Sequence, residues 1–252
     1  MAIRQGTAEL SGVYIGGNPV QKIYQGSNLV YTAASTSLIS LADLQFYFPF
    51  NGTVTDDSGN ANTTTQVSTT FGTGKFGDAA VINAQNANST ILTSKVWGTA
   101  NAYSLAAWVN LVSLTGDNQI ITRDASFLIP RCWQFRSVSG QLQLIRFNAS
   151  GGVVANFSSG ASTISAGVWT HVAATFDTTN GSKLYINGVQ VGSDNNLTAN
   201  NDTASKIGIG TSGDPNVVSG PLNGSIDEAI MYSRALTAGE ITTLAAGTGP
   251  LI

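Results

Sequence analysis

Apolar and polar residues alternate along much of this chain, and a period of two is typical of strands whose two faces meet different surroundings. Between residues 41 and 50, one leucine and three phenylalanines fall on one face. Segment 103–112, YSLAAWVNLV, is apolar almost throughout and predicts a strand buried on both faces. The pair Asn187-Gly188 between two further runs predicts a tight hairpin turn. The pattern therefore predicts an all-β chain.

Segment 220–246 predicts a turn, a strand and one short helix. Alternation along the strand predicts two faces, one with Ile226, Glu228, Ile230 and Tyr232, the other with Asp227, Ala229 and Met231. Thr237 and Glu240 have the spacing of a capping box, so we expect the helix to begin directly after Thr237.

Composition narrows the class of protein. Charged residues make up 10% of the 252 residues, against about 25% in ordinary soluble domains. A formal net charge of −3 gives no electrostatic case for binding nucleic acid. The chain has no apolar run of the length that membrane insertion requires. The single cysteine, Cys132, excludes an internal disulfide framework.

Several motifs resemble those of the LamG-like, concanavalin A-like jelly-roll family. They are DDSGNAN at 56–62, WTHVAATFD at 169–177, IDE at 226–228 and RAL at 234–236. The resemblance extends over residues 41–246. It implies a two-sheet antiparallel jelly-roll sandwich with one short C-terminal helix, which we place at residues 41–252.

The first residues are organised differently. Segment 1–34 contains a repeat, VYIGGNPV at 13–20 and IYQGSNLV at 23–30, and each copy predicts a short strand and a turn. We therefore predict a small β-meander, joined to the jelly roll by a linker at 35–40. This segment resembles the short N-terminal modules of tailed-phage virion proteins. The resemblance implies that it anchors the protein to a particle, and its candidate contact residues are Tyr14, Lys22, Tyr24 and Tyr31.

The jelly-roll resemblance also implies a structural Ca²⁺ site. Calcium takes six to eight oxygen ligands in proteins, and the loop at 56–62 carries several. In the family this loop often meets the aspartate of the IDE strand. The candidate ligands are Asp56, Gly59 through its carbonyl, Asn62 and Asp227. The alternative is an Asx-turn loop without a metal.

Aromatic rings beside polar side chains are the usual elements of a carbohydrate site. The candidates are Trp97, Tyr103, Arg123, Arg131, Trp133 and Arg136. Most of them fall between residues 117 and 146, where we predict a site. The alternative for each aromatic residue is packing in the core.

Nothing in the sequence predicts catalysis. Glycoside hydrolases need two carboxylates placed across a sugar, and the Glu-x-Asp-x-x-Glu run of the β-glucanase branch does not occur. Asp227 and Glu228 are adjacent and are predicted to point to opposite faces. His171 is interpreted as a structural strand residue. We therefore predict a non-enzymatic protein with no catalytic residues.

These features together predict a bacteriophage virion accessory protein of the head-decoration or fibre type. We expect it to assemble in the host cytoplasm and then to be extracellular with the particle. Its expected partners are capsid or tail proteins, copies of itself in a homo-oligomer (a trimer, by analogy) and a cell-surface glycan. The alternatives are a carbohydrate-binding module or lectin not tied to a virion and, third, a glycoside hydrolase.

Overall fold

The computed structural model describes residues 14–15, 18–19, 22–25, 28–32, 39–83, 90–93, 101–124, 131–200, 206–212 and 220–247. Two compact units divide the chain, Met1–Ser37 and Leu38–Ile252.

The first unit contains two antiparallel strand pairs. Strand β1 (Tyr14–Ile15) pairs with β2 (Asn18–Pro19), and β3 (Lys22–Gln25) pairs with β4 (Asn28–Thr32). The described strands form separate two-stranded sheets, and the meander at residues 1–34 stays a prediction. In each copy of the repeat, the first described strand pairs with the second. The four candidate anchoring residues, Tyr14, Lys22, Tyr24 and Tyr31, lie on these strands.

The second unit is a sandwich. After a 3₁₀ turn at Leu41–Asp43, its strands are β5 (Leu44–Phe48), β6 (Thr64–Val67), β7 (Thr70–Thr73), β8 (Asp78–Ile82), β9 (Thr90–Thr93), β10 (Ala102–Leu111), β11 (Asp117–Asp124), β12 (Arg131–Val138), β13 (Gln141–Phe147), β14 (Val153–Thr163), β15 (Thr170–Asp177), β16 (Gly181–Ile186), β17 (Val189–Asp194), β18 (Ile207–Ile209) and β19 (Gly224–Tyr232). One helix, α1 (Ala238–Ala245), follows. Among the described residues, no helix has the length and apolar character needed to cross a membrane.

Two antiparallel sheets stack on each other. The eight-stranded sheet has the order β17-β16-β15-β10-β19-β8-β7, with β5 also paired to β19, and the seven-stranded sheet has the order β14-β13-β12-β11-β18-β9-β6. This architecture confirms the predicted all-β, two-sheet jelly roll. The residues facing inward from both sheets form one apolar core, which includes Phe46, Phe48, Trp133, Phe135 and Phe176.

A second, smaller apolar cluster lies between the outer face of the eight-stranded sheet and α1. It includes Ala106, Ile230, Tyr232, Ile241 and Leu244. The helix begins as predicted: Thr237 accepts a hydrogen bond from the amide of Glu240, and the Glu240 side chain accepts one from the Thr237 amide. The capping box therefore sets where the helix starts to cover the sheet.

A β-bulge in β19 overturns the predicted faces of that strand. Ala106 of β10 pairs with Ile230 and Trp108 pairs with Asp227, so the register of the two strands shifts by one residue between these pairs. Glu228, within the shift, takes a φ of 52°. The extra residue reverses the alternation beyond it. Ile226, Ala229 and Met231 consequently lie in the main core, whereas Ile230 and Tyr232 lie under α1.

Candidate functional site

The predicted calcium loop is held by its own hydrogen bonds. The two Asp56 oxygens accept five of them: from the Tyr47 amide at 3.0 Å, from the amide and hydroxyl of Ser58 at 3.1 and 2.9 Å, and from the amide and side chain of Asn62 at 3.1 and 2.7 Å. Burial opposes ionisation of Asp56, but these hydrogen bonds prevail and lower its pKa. Gly59 bends the loop with a φ of 81°.

Asp227 has a different set of partners. Its Oδ2 accepts hydrogen bonds from the backbone amides of Lys75 and Phe76, both at 2.9 Å, and its Oδ1 accepts one from the Glu228 amide at 2.9 Å. The side chain is fully buried. Asp227 thus holds the turn before β8 against β19.

These contacts do not fit the predicted calcium site. The carboxylates of Asp56 and Asp227 bind different segments of the chain and direct their lone pairs to N–H and O–H donors. Within the described ranges, no three His, Cys, Asp or Glu residues lie close enough to hold a metal ion. The loop has the hydrogen-bonding pattern of the alternative interpretation, an Asx-turn.

The bulge also brings Asp227 and Glu228 to the same outer face, where the alternation predicted opposite faces. Glu228 Oε2 accepts a hydrogen bond from the Tyr47 hydroxyl at 2.6 Å. Burial raises the pKa of Glu228 to about 7, and the charges of Asp227 and Asp57 add to the effect. Burial likewise raises the pKa of Asp227 to about 6, against its three amide donors. His171, buried on the same face, has its pKa lowered by burial to about 3 and stays neutral.

Glu228→Gln will make the protein more stable at pH 8 than the wild type, by about 1–2 kcal/mol. Because the folded-state pKa of Glu228 is raised, folding favours its protonated form. The stabilisation that the protonated Glu228 gives the folded protein is fully present below the unfolded-state pKa. It is lost as pH rises through about 7. Urea unfolding of both proteins at pH 5, 6, 7 and 8 measures the difference, which should grow with pH. A difference that stays constant across the series would contradict the shift.

Three of the predicted sugar residues lie in the interior, which corrects their assignment to an exposed platform. Tyr103, Arg123 and Trp133 are each 0% exposed. The Trp133 ring stacks on that of Tyr103 with 4.9 Å between centroids, and the Arg123 guanidinium lies 5.6 Å from the Trp133 centroid. None of the three side chains can meet a saccharide on the surface. Trp97 lies outside the described residues.

Arg131 and Arg136 lie on β12 and keep partial exposure. Arg131 pairs with the buried Asp124 at 3.2 Å and stacks over Phe147 at 3.9 Å. The amide of Gln134 also donates to Asp124. The Arg131 guanidinium therefore binds groups within the protein, Asp124 and the Phe147 ring.

Arg136 belongs to a row of hydrogen-bonded side chains on the outer face of the seven-stranded sheet, which we call the polar row. Its members are Asp117, Gln119, Arg136, Gln143 and Asn156. Register places Gln119, Arg136 and Gln143 side by side on β11, β12 and β13. Arg136 donates from Nη1 to Asp117 Oδ2 at 2.5 Å and from Nε to Gln143 Oε1 at 2.7 Å. Gln143 in turn donates to Asn156 Oδ1 at 2.8 Å.

The polar row is balanced in charge and, apart from the buried Gln119, is partly open to solvent. The side chains of Arg136 and Asp117 are 20% and 29% exposed, and Asn156 is exposed. Asp117 compensates the charge of Arg136, as Asp124 compensates that of Arg131. The row therefore offers fixed amide and guanidinium groups with little net charge.

The sequence predicts Arg136 as a site residue but not its hydrogen-bond partners Asp117 and Gln143. Gln141 and Gln143 alternate visibly with leucines, which marked an outward face. The contributions of Asp117 and Asn156 depend on pairing between strands, and composition alone carries no signal for them.

A family model described as the concanavalin A-like lectin/glucanases superfamily matches residues 83–242. The chain belongs to this family. The second unit is accordingly a lectin-like jelly roll. Comparison with curated protein sequences found no match.

Solved structures share the fold. The binding domain of Paraclostridial Mosquitocidal Protein 1 superposes with a TM-score of 0.69 at 18% identity, over 82% of this chain and 53% of that one. Domain 4 of AbnA, an extracellular arabinanase from Geobacillus stearothermophilus, was solved in complex with arabinotriose. It superposes with a TM-score of 0.64 at 26% identity, over 81% of this chain and 98% of that domain.

The binding domain of botulinum neurotoxin serotype G matches with a TM-score of 0.63 at 17% identity, over 81% of this chain and 51% of that one. The chain thus spans about half the length of the two toxin domains. At these identities the toxin domains share the fold alone with this chain.

Proposed function

We propose that the jelly roll is a non-enzymatic glycan-binding module and that the polar row is its binding face. The observation that carries this proposal is the continuous hydrogen-bonded network of Asp117, Arg136, Gln143 and Asn156 across four neighbouring strands. Saccharide hydroxyls both donate and accept hydrogen bonds, and amide and guanidinium groups fixed by one another are suited to them.

The dimensions of the row support an extended ligand. Four neighbouring strands lie about 4.8 Å apart, so the row measures about 14 Å across the sheet. This length suits a short oligosaccharide lying across the strands. Because the charges of the row are paired, a neutral saccharide fits it better than an acidic one. The saccharide-bound structure of the arabinanase domain, at 26% identity, gives independent support.

Arg136→Ala will weaken saccharide binding about tenfold or more, since a hydrogen bond to a charged group contributes about 1.5–3 kcal/mol. A panel of immobilised neutral and acidic oligosaccharides, including arabinotriose, identifies a ligand, and calorimetry then gives its Kd. Gln143→Ala should weaken binding in the same direction. Lys183→Ala, on β16 of the other sheet, is the control for charge removal and should leave the Kd unchanged.

Unchanged affinity in both polar-row variants, with wild-type melting temperatures, would place any saccharide elsewhere on the protein. If the protein binds none of the saccharides in the panel, the glycan-binding proposal itself is refuted.

The absence of catalysis is part of the proposal. The two acids that lie together on β19 are both engaged, Asp227 by three backbone amides and Glu228 by the Tyr47 hydroxyl. A glycosidase needs one carboxylic acid and one carboxylate facing each other across the scissile bond. The polar row contains one carboxylate, Asp117, which is paired with Arg136.

We further propose that the protein is a bacteriophage virion accessory of the head-decoration or fibre type. The support is the repeat within residues 1–34, its likeness to tailed-phage modules and its division into a unit of its own, Met1–Ser37. That unit would bind capsid or tail proteins and display the jelly roll, in a trimer by analogy. Mass spectrometry of purified virions tests this role, and virions that lack the protein would refute it.

A further inference from the structure

A cleft lies at the edge of the sandwich opposite β14, the strand that carries Asn156 of the polar row. Edge strands β6 and β7 belong to different sheets, and the loops at 52–56 and 61–63 lie beside them in one lining. Between these segments the structure has an open cleft of about 570 Å³. Clefts that bind small molecules usually measure about 300–1,000 Å³. We call this the edge cleft.

The lining of the edge cleft combines neutral polar groups with one aromatic ring. Thr53, Thr55, Thr63 and Gln66 line it and are exposed, and Phe71 lines it while packing partly against the core. An aromatic ring beside hydroxyl and amide groups can contact the apolar face of a sugar and its hydroxyls together.

The charged residues in the lining decide which class of ligand the edge cleft can bind. Among the described residues that line the cleft, none is basic and the one acid is Asp56. Both Asp56 oxygens already accept hydrogen bonds within the protein. The lining thus has no cation to attract an anionic ligand and no free carboxylate to attract a cationic one. A neutral ligand remains, and the threonine hydroxyls and the Gln66 amide of the lining favour one that is rich in hydroxyl groups.

The edge cleft is separate from the polar row. Strands β18 and β9 lie between β11, which carries Asp117 and Gln119 of the polar row, and β6, which carries Gln66. Three strand spacings correspond to about 14 Å. A short saccharide that lies along the whole polar row cannot also reach the edge cleft, so the two sites can be tested independently.

We propose that the edge cleft is a second saccharide site, one that takes a neutral oligosaccharide between Phe71 and the hydroxyl and amide groups of the surrounding loops. With two sites on one jelly roll, a long polysaccharide can be held at two points, which increases avidity without any new contact.

Amide chemical shifts of the ¹⁵N-labelled full chain test the proposal. The probes are arabinotriose and maltotriose, with sialyllactose as the acidic comparison. We expect the neutral probes to shift amides at residues 53–55 and 63–66, and sialyllactose to bind there at least tenfold more weakly. Phe71→Leu keeps the apolar contact with the core but removes the ring, and it should weaken binding about tenfold. Gln66→Ala changes only an exposed side chain and should also weaken binding.

The Arg136→Ala variant separates the two proposals. Shifts at the edge cleft that persist in this variant support a second site whether or not the polar row binds sugar. Absence of shifts at 53–55 and 63–66 with both neutral probes, up to their solubility limits, would overturn the second site. Shifts that are unchanged in both Phe71→Leu and Gln66→Ala would overturn it as well.

Discussion

Replacing Arg146 with alanine will lower the free energy of unfolding by about 3–5 kcal/mol, because the change removes a large buried side chain and leaves three acceptors without their donor. The guanidinium is 0% exposed and lies 3.9 Å from the centroid of Phe176. It donates to the carbonyls of Asn196 and Thr198 at 2.6 and 2.8 Å and to Asn200 Oδ1 at 3.2 Å. Alanine leaves these acceptors without their donor, and the side chain of Asn200 is buried.

Urea unfolding gives the size of the loss, and hydrogen exchange should show faster opening of residues 194–200 in particular. Arg136→Ala is the matched control, an arginine to alanine change on the same sheet. Since the Arg136–Asp117 pair is partly exposed, its loss should cost about 1 kcal/mol or less. Equal costs for the two variants would contradict the structural role of Arg146.

Replacing Trp133 with alanine will cost about 3–5 kcal/mol of stability, the usual range for removing a large buried aromatic side chain. The ring is fully buried and stacks on Tyr103 at 4.9 Å. Any saccharide binding should therefore fall only as far as the folded fraction falls, and not by loss of a contact. Chemical unfolding followed by intrinsic fluorescence and far-UV circular dichroism measures the change.

Trp133→Phe separates packing from recognition. Phenylalanine keeps a ring in the core at a cost of about 1–2 kcal/mol, so this variant should fold and bind saccharide as the wild type does. A stable Trp133→Phe protein that has lost saccharide binding would return Trp133 to the binding site and contradict its assignment to the core.

The fold could be predicted because its signals are local. Leu44–Phe48 alternates in sequence and is alternately buried and half-buried in the structure. Asn187 and Gly188 both take the positive φ values, 49° and 80°, that the predicted hairpin turn requires. The capping box likewise depends on only two residues, Thr237 and Glu240. Each of these features depends on neighbours within a few positions.

The candidate site could be predicted only in part because it depends on partners far apart in sequence. Alternation puts Trp133 and Phe135 on one face of their strand, but it does not say which face meets the core. The bulge at Glu228 depends on the single residue Ala107 that faces it on β10, and nothing in the local pattern marks it. The polar row needs the register of four strands, so the sequence indicated its region and the structure supplied its members.

The position of β19 has a consequence for biosynthesis. This strand, at residues 224–232, lies in the middle of its sheet, with β10 on one side and both β8 and β5 on the other. The ribosome must therefore deliver more than 220 residues before the eight-stranded sheet can be completed. Until then the nascent chain exposes unpaired edges on β5, β8 and β10, and such edges favour aggregation. Pairings this distant in sequence also slow folding, so chaperone protection during synthesis should govern the yield of folded protein.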